Sequence, residues 1–176
     1  MMKFCAFILA GGLVLAQQPG DAARGKEIFE GKGGCLSCHR VNGDGSRMGP
    51  DLSDMGVPRR SGGPGPQMET AAAGNPEALA RAILDPDADV APANRFVRVV
   101  TKDGTTVTGR LLNHDNFSVQ LIDAQGKLRA YQRSDLREST VITKSQMPSY
   151  KDKLNAQEVA DLVGYLMSLK GLINHD

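Results

Sequence analysis

Residues 35–39 read Cys-Leu-Ser-Cys-His, inside the stretch GCLSCHR at 34–40. Two thiols three apart, with an imidazole next to the second, restrict what this chain can fold around more than any other feature. The only other cysteine is Cys5. It lies in MMKFCAFILAGGLVLA, residues 1–16, where Lys3 precedes an apolar run from Phe4 to Ala16. That run is shorter than the roughly 20 residues needed to cross a bilayer. Val14 and Ala16 fit the −3 and −1 preferences of a leader peptidase, so 1–16 reads as a cleaved signal peptide rather than a retained anchor. The exported chain then keeps a single cysteine pair in an oxidising compartment, with no odd thiol.

Three chemistries use such a pair. A thioredoxin-like redox pair should follow a strand and open a helix. Here the preceding DAARGKEIFEGKGG reads as a short helix running into a glycine loop. A structural zinc ion needs four ligands, and there is no second cysteine pair. His114 sits in the turn-like NHDN and His175 in the tail, where solvation is the ordinary state of both. The third chemistry is covalent haem attachment. Both thiols bond to the porphyrin, one haem c, and His39 becomes the proximal iron ligand; only this reading uses every residue of the motif. It also accounts for a composition with 5% aromatics and no tryptophan. A flat apolar cofactor can supply the centre that side chains do not fill.

Charge narrows the function classes. Lys and Arg number 21 against 20 Asp and Glu, and loss of Lys3 with the leader brings the two into balance. A nucleic-acid binder should carry a basic stripe, so none is expected as a partner. No second apolar run is long enough to span a membrane, which predicts a soluble exported protein, periplasmic in a bacterium. Arg59, Arg60, Arg95 and Arg98 are conceivable partners for haem propionates, although solvated surface positions are the more ordinary reading of each.

Iron held by His39 needs a sixth ligand or keeps an open site. Among seven methionines, Met48, Met55 and Met68 lie in glycine-rich sequence, and Met167 falls in a late helix as core filling. Met147 stands in SQMPSY at 145–150, where Pro148 stiffens the loop and keeps Met147 extended. Thioether ligation and core filling are both open to it on these grounds.

The order Gly25-x-x-x-Phe29, Cys35 to His39, Gly49-Pro50-Asp51-Leu52, Met147-Pro148 and a closing helix with Leu162 and Tyr165 resembles a class I c-type cytochrome. The resemblance covers most of 21–60 and 140–171. It implies Met147 as the sixth ligand, the Pro50 carbonyl as partner of the other His39 ring nitrogen, and first and last helices that cross. It implies a mainly α fold, a cytochrome c-like helical haem fold. The residues agree independently. Gly25 and Phe29 share a helix face. Asn155 with Glu158 resembles a capping box, and Val159, Leu162, Val163, Leu166 and Leu169 form one apolar stripe.

The chain between Cys35 and Met147 is far longer than such a fold requires. Residues 56–75 are rich in glycine and proline and read as a loop. Asn75-Pro76 then starts a helix that ends at Asp85-Pro86. From 95 to 138 the period changes to two: RFVRVVT, TTVTGRLL, FSVQLID and KLRAYQR alternate between turn residues. These predict four strands forming a small antiparallel β subdomain, a sheet or an SH3-like barrel. The expected organisation is a signal peptide (1–16), the first part of the haem domain (17–94), the β insertion (95–138), and the methionine loop with the last helix (139–176). The pieces Gly49–Leu52, Ile83–Pro86, Val100–Gly109 and Ser145–Pro148 resemble a narrower group of exported bacterial cytochromes associated with dehydrogenases. That likeness implies a non-enzymatic electron carrier between a dehydrogenase donor and a respiratory acceptor. An open-site haem sensor or small-ligand-binding module is the alternative.

Overall fold

A computed structural model describes residues 19–58 and 72–171. The leader reading, Arg59, Arg60, Met68, His175 and most of the 56–75 loop lie outside the described residues.

Helix α1, Ala22–Glu30, begins where the Asp21 carboxylate accepts from the amides of Ala23 and Arg24, satisfying donors that the first turn leaves free. Helix α2, Pro76–Leu84, has Asn75 as its cap and Pro76 in its first turn. Helix α3, Ala156–Ser168, opens with the reciprocal Asn155–Glu158 capping box. α1 and α3 cross at Gly25. A Cβ there would stand 2.0 Å from the Asp161 carbonyl oxygen and 2.8 Å from Tyr165 Cβ, so only glycine lets the two backbones meet. One turn on, Phe29 and Tyr165 pack with ring centroids 5.4 Å apart. Phe29, Met55, Leu79, Ile83, Leu154, Leu162 and Leu166 belong to the buried core around this crossing.

A short hairpin follows the motif: β1, Arg40–Val41, and β2, Asp44–Gly45. Its turn is Asn42-Gly43, with φ of 52° and 100°, the left-handed pair that a two-residue hairpin prefers.

The inserted region carries five strands: β3 (Phe96–Thr101), β4 (Thr106–His114), β5 (Ser118–Asp123), β6 (Leu128–Gln132) and β7 (Leu136–Ile142). All pair antiparallel in the order β6-β5-β4-β3-β7. The sheet curls on itself. Val107 and Ser139 both stand opposite Val99. His114 lies seven residues beyond Val107 on β4, about 23 Å away in a flat sheet. Yet His114 Nε2 is 3.2 Å from Ser139 Oγ. β4 therefore bends over, with a register shift between Leu111 and Asn113 of the kind that increases bending. Val97, Val99, Val119 and Leu121 fill the interior.

Two expectations are corrected. The fold is not mainly α. Among the described residues α-helix is limited to α1, α2 and α3, and strand residues outnumber α-helical ones. α1 and α2 are only nine residues each, and the glycine-rich segments around the motif form turns. The sheet also has five strands, not four. β7 escapes the turn-residue punctuation because only the 3₁₀ turn Arg133–Asp135 separates it from β6.

Candidate haem site

The segment after α1 is arranged to present His39. Gly34 takes a left-handed φ of 60° and starts the 3₁₀ turn Cys35–Ser37. The amides of Cys38 and His39 both donate to the Cys35 carbonyl, at 3.1 and 2.8 Å. The β1–β2 hairpin turns the chain back, and Gly49 N donates to the Cys38 carbonyl at 2.6 Å. A Cβ on Gly49 would lie 2.9 Å from His39 Nδ1, so the ring rests directly on this backbone. Pro50 then follows, and its carbonyl oxygen is 3.0 Å from His39 Nδ1.

That bond settles the tautomer. A carbonyl only accepts, so Nδ1 carries the proton and donates. In the neutral ring Nε2 keeps its lone pair, the state a metal ligand requires. Burial lowers the His39 pKa below the usual imidazole value, against an opposing pull from the Pro50 carbonyl, so the neutral ring is the favoured form.

His39 faces an apolar cleft that is open to solvent. Phe29, Leu52, Ile83, Leu162 and Leu166 wall it, together with Cys35, His39, Met147 and Tyr150. The structure thus brings Cys35, His39 and Met147 to one cavity, with Pro50 behind the imidazole. Cys38 lies outside the lining, exposed, and no disulfide joins the two cysteines. Burial pushes the Cys35 thiol up to about 11, so it stays neutral at ordinary pH. Met147 is half-buried and packs on the helical core, whereas Met55 is fully buried within it. Neither Arg95 nor Arg98 lines the cleft. Arg98 pairs with Glu138 across β3 and β7. His114 ends β4, where its Nε2 accepts from Arg133 at 3.1 Å.

Sequence reasoning passed over two features. Tyr150 is a cleft residue whose hydroxyl donates to the Gly33 carbonyl at 2.5 Å; its place three after Met147 in SQMPSY was the available signal. The Asn42-Gly43 dipeptide announced the hairpin that brings Pro50 back to His39.

The arrangement fits a haem. It offers an apolar cleft whose lining includes Met147, Cys35 and His39, the last with a ring nitrogen that keeps its lone pair. Among the described residues no three His, Cys, Asp or Glu side chains converge as a metal-ion cage.

A Cytochrome c family model matches residues 22–95. No curated protein matches the chain. The matched residues hold α1, the cysteine motif, Pro50 and α2; Met147, α3 and the five-stranded sheet lie beyond them. This similarity supports a c-type cytochrome, a haem-containing electron carrier that exchanges electrons with redox partners. No helix among the described residues is long and apolar enough to cross a membrane.

Proposed function

We propose that the protein is an exported, periplasmic c-type cytochrome that carries single electrons from a dehydrogenase to a respiratory acceptor. One haem c would be joined to Cys35 and Cys38, with His39 and Met147 as its axial ligands. The chain on either side of the five-stranded sheet, which runs from Phe96 to Ile142, would form the haem domain. The observation that carries this reading is the meeting of His39 and Met147 in one apolar cleft, although the chain separates them by the whole β-sheet.

Haem bound there supplies an iron that gains and loses one electron. The protein's part is to hold its surroundings constant. The Pro50 carbonyl orients the His39 ring and raises the basicity of Nε2. Phe29, Leu52, Ile83, Leu162 and Leu166 give the cleft an apolar lining, which would lower the dielectric around a bound iron. A thioether from Met147 favours the reduced state and raises the potential. Were both His39 and Met147 to hold the iron, no position would remain for a substrate, which favours a carrier over an enzyme.

Substituting Met147→Ala should lower the reduction potential and weaken the thioether–iron charge-transfer band of the oxidised protein. A variant with potential and band unchanged would remove Met147 from the site. Rapid stoichiometric uptake of carbon monoxide by the reduced wild type would favour the open-site sensor.

A further inference from the structure

Met147 lies at the neck of the insertion, and the neck is tied. The Asp87 carboxylate, just beyond α2, accepts from the Ser145 amide at 2.7 Å, across 58 residues of chain. Ser145 Oγ accepts in turn from the Met147 amide at 3.0 Å. On the other flank Ser149 Oγ donates to the Leu84 carbonyl at 2.6 Å, and the Tyr150 amide donates to the Ile83 carbonyl at 3.1 Å. Both sides of Met147-Pro148 are therefore fastened to the end of α2, and Ile83 itself lines the cleft. β7 ends at Ile142, so only a few residues separate the sheet from the methionine. Without the tie, motion of β7 would pass straight into the loop.

We infer that Asp87 is a positioning residue that pins the neck of the β insertion through Ser145 and so holds the Met147 sulfur over the cleft. The inference rests on the reading of Met147 as axial ligand. Asp87 touches neither the cleft nor Met147. It acts by fixing the Ser145 backbone, whose hydroxyl fixes the Met147 amide. β3 and β7 leave and return on the sheet side of this clasp, so movements of the sheet are decoupled from the thioether.

Four variants of the haem-loaded protein test this: Asp87→Ala, Asp87→Asn, Ser145→Ala and Met147→Ala. Carbon monoxide uptake by the reduced protein and the thioether–iron band are read together with amide exchange over residues 145–147. Losing one such hydrogen bond should make Asp87→Ala and Ser145→Ala take up carbon monoxide about three- to tenfold faster than wild type, with weaker bands. Amide exchange in the loop of Asp87→Ala should rise by a similar factor. Asp87→Asn keeps an acceptor oxygen and should return close to wild type. If Asp87→Ala matches wild type in both uptake and loop exchange, the inference is overturned. If Met147→Ala itself leaves band and uptake unchanged, the ligand reading fails instead, and loop exchange in Asp87→Ala still decides whether the clasp exists.

Discussion

The interior of the curled sheet consists of Val97, Val99, Val119 and Leu121, each fully shielded, and these side chains complete their own packing. The helical half has more buried residues, yet its walls surround an apolar cleft with a histidine, a cysteine and a methionine on its lining. One chain thus holds a core closed by its own side chains beside another whose apolar walls leave an open cleft. Alternation of β-branched residues suffices for the first, because a sheet buries one face against itself. The second leaves Phe29, Leu52, Ile83, Leu162 and Leu166 lining an open apolar cleft, surface that an apolar cofactor would cover.

The comparison breaks most visibly if attachment is removed. Replacing Cys35 and Cys38 with serine should cost α1 and α3 their amide protection by orders of magnitude, while β3, β4 and β5 keep theirs. Equal loss in both halves would mean that the sheet is not self-sufficient. Next in size, Leu121→Ala should cost the sheet about 2–5 kcal/mol, seen in its denaturant midpoint, and leave the spectrum of the iron unchanged. Gly25→Ala drives a Cβ against the Asp161 carbonyl and should destabilise the helical half by about 1–3 kcal/mol without touching the sheet.

The smallest effect concerns Asp161, buried on α3. Its carboxylate accepts from the Arg24 guanidinium, the Asp21 amide and Gln157 Nε2. The Arg24 bond, first among these, holds it well below the usual carboxylate range. A carboxylate with a depressed folded value stabilises above its unfolded value near 4, and that contribution is lost as pH falls further. Asp161→Asn should therefore cost about 1–2 kcal/mol at pH 7, because Arg24 is half-exposed and screened. The gap between variant and wild type should narrow below about pH 4; urea titrations at pH 7 and pH 3 measure it.

How far these halves were legible in the sequence follows the same division. Cys35, Cys38 and His39 stand out in the sequence by motif chemistry, and Pro50 and Met147 enter through the resemblance in chain order. The structure places His39, Cys35 and Met147 on one cleft and puts Pro50 on Nδ1. Helix caps at Asn75 and Asn155 were equally readable, since capping is local. What stayed hidden was long-range. β7 carries no fully buried residue and is recruited by pairing with β3, which no local pattern announces. The Asp87–Ser145 bond spans the entire insertion. The mainly α expectation erred because it weighted the motif's usual surroundings over the period-two stretch the chain itself displays.

The central claim is covalent pigment on Cys35 and Cys38 with His39 as its proximal ligand. Acid–acetone extraction of protein purified from a host with haem-attachment machinery tests it most directly, read by the absorption spectrum and the mass of the precipitated polypeptide. The account predicts that the colour stays with the polypeptide and that its mass exceeds the mature chain by one haem. A folded, colourless chain at its unmodified mass, or pigment that leaves with the solvent, would contradict it.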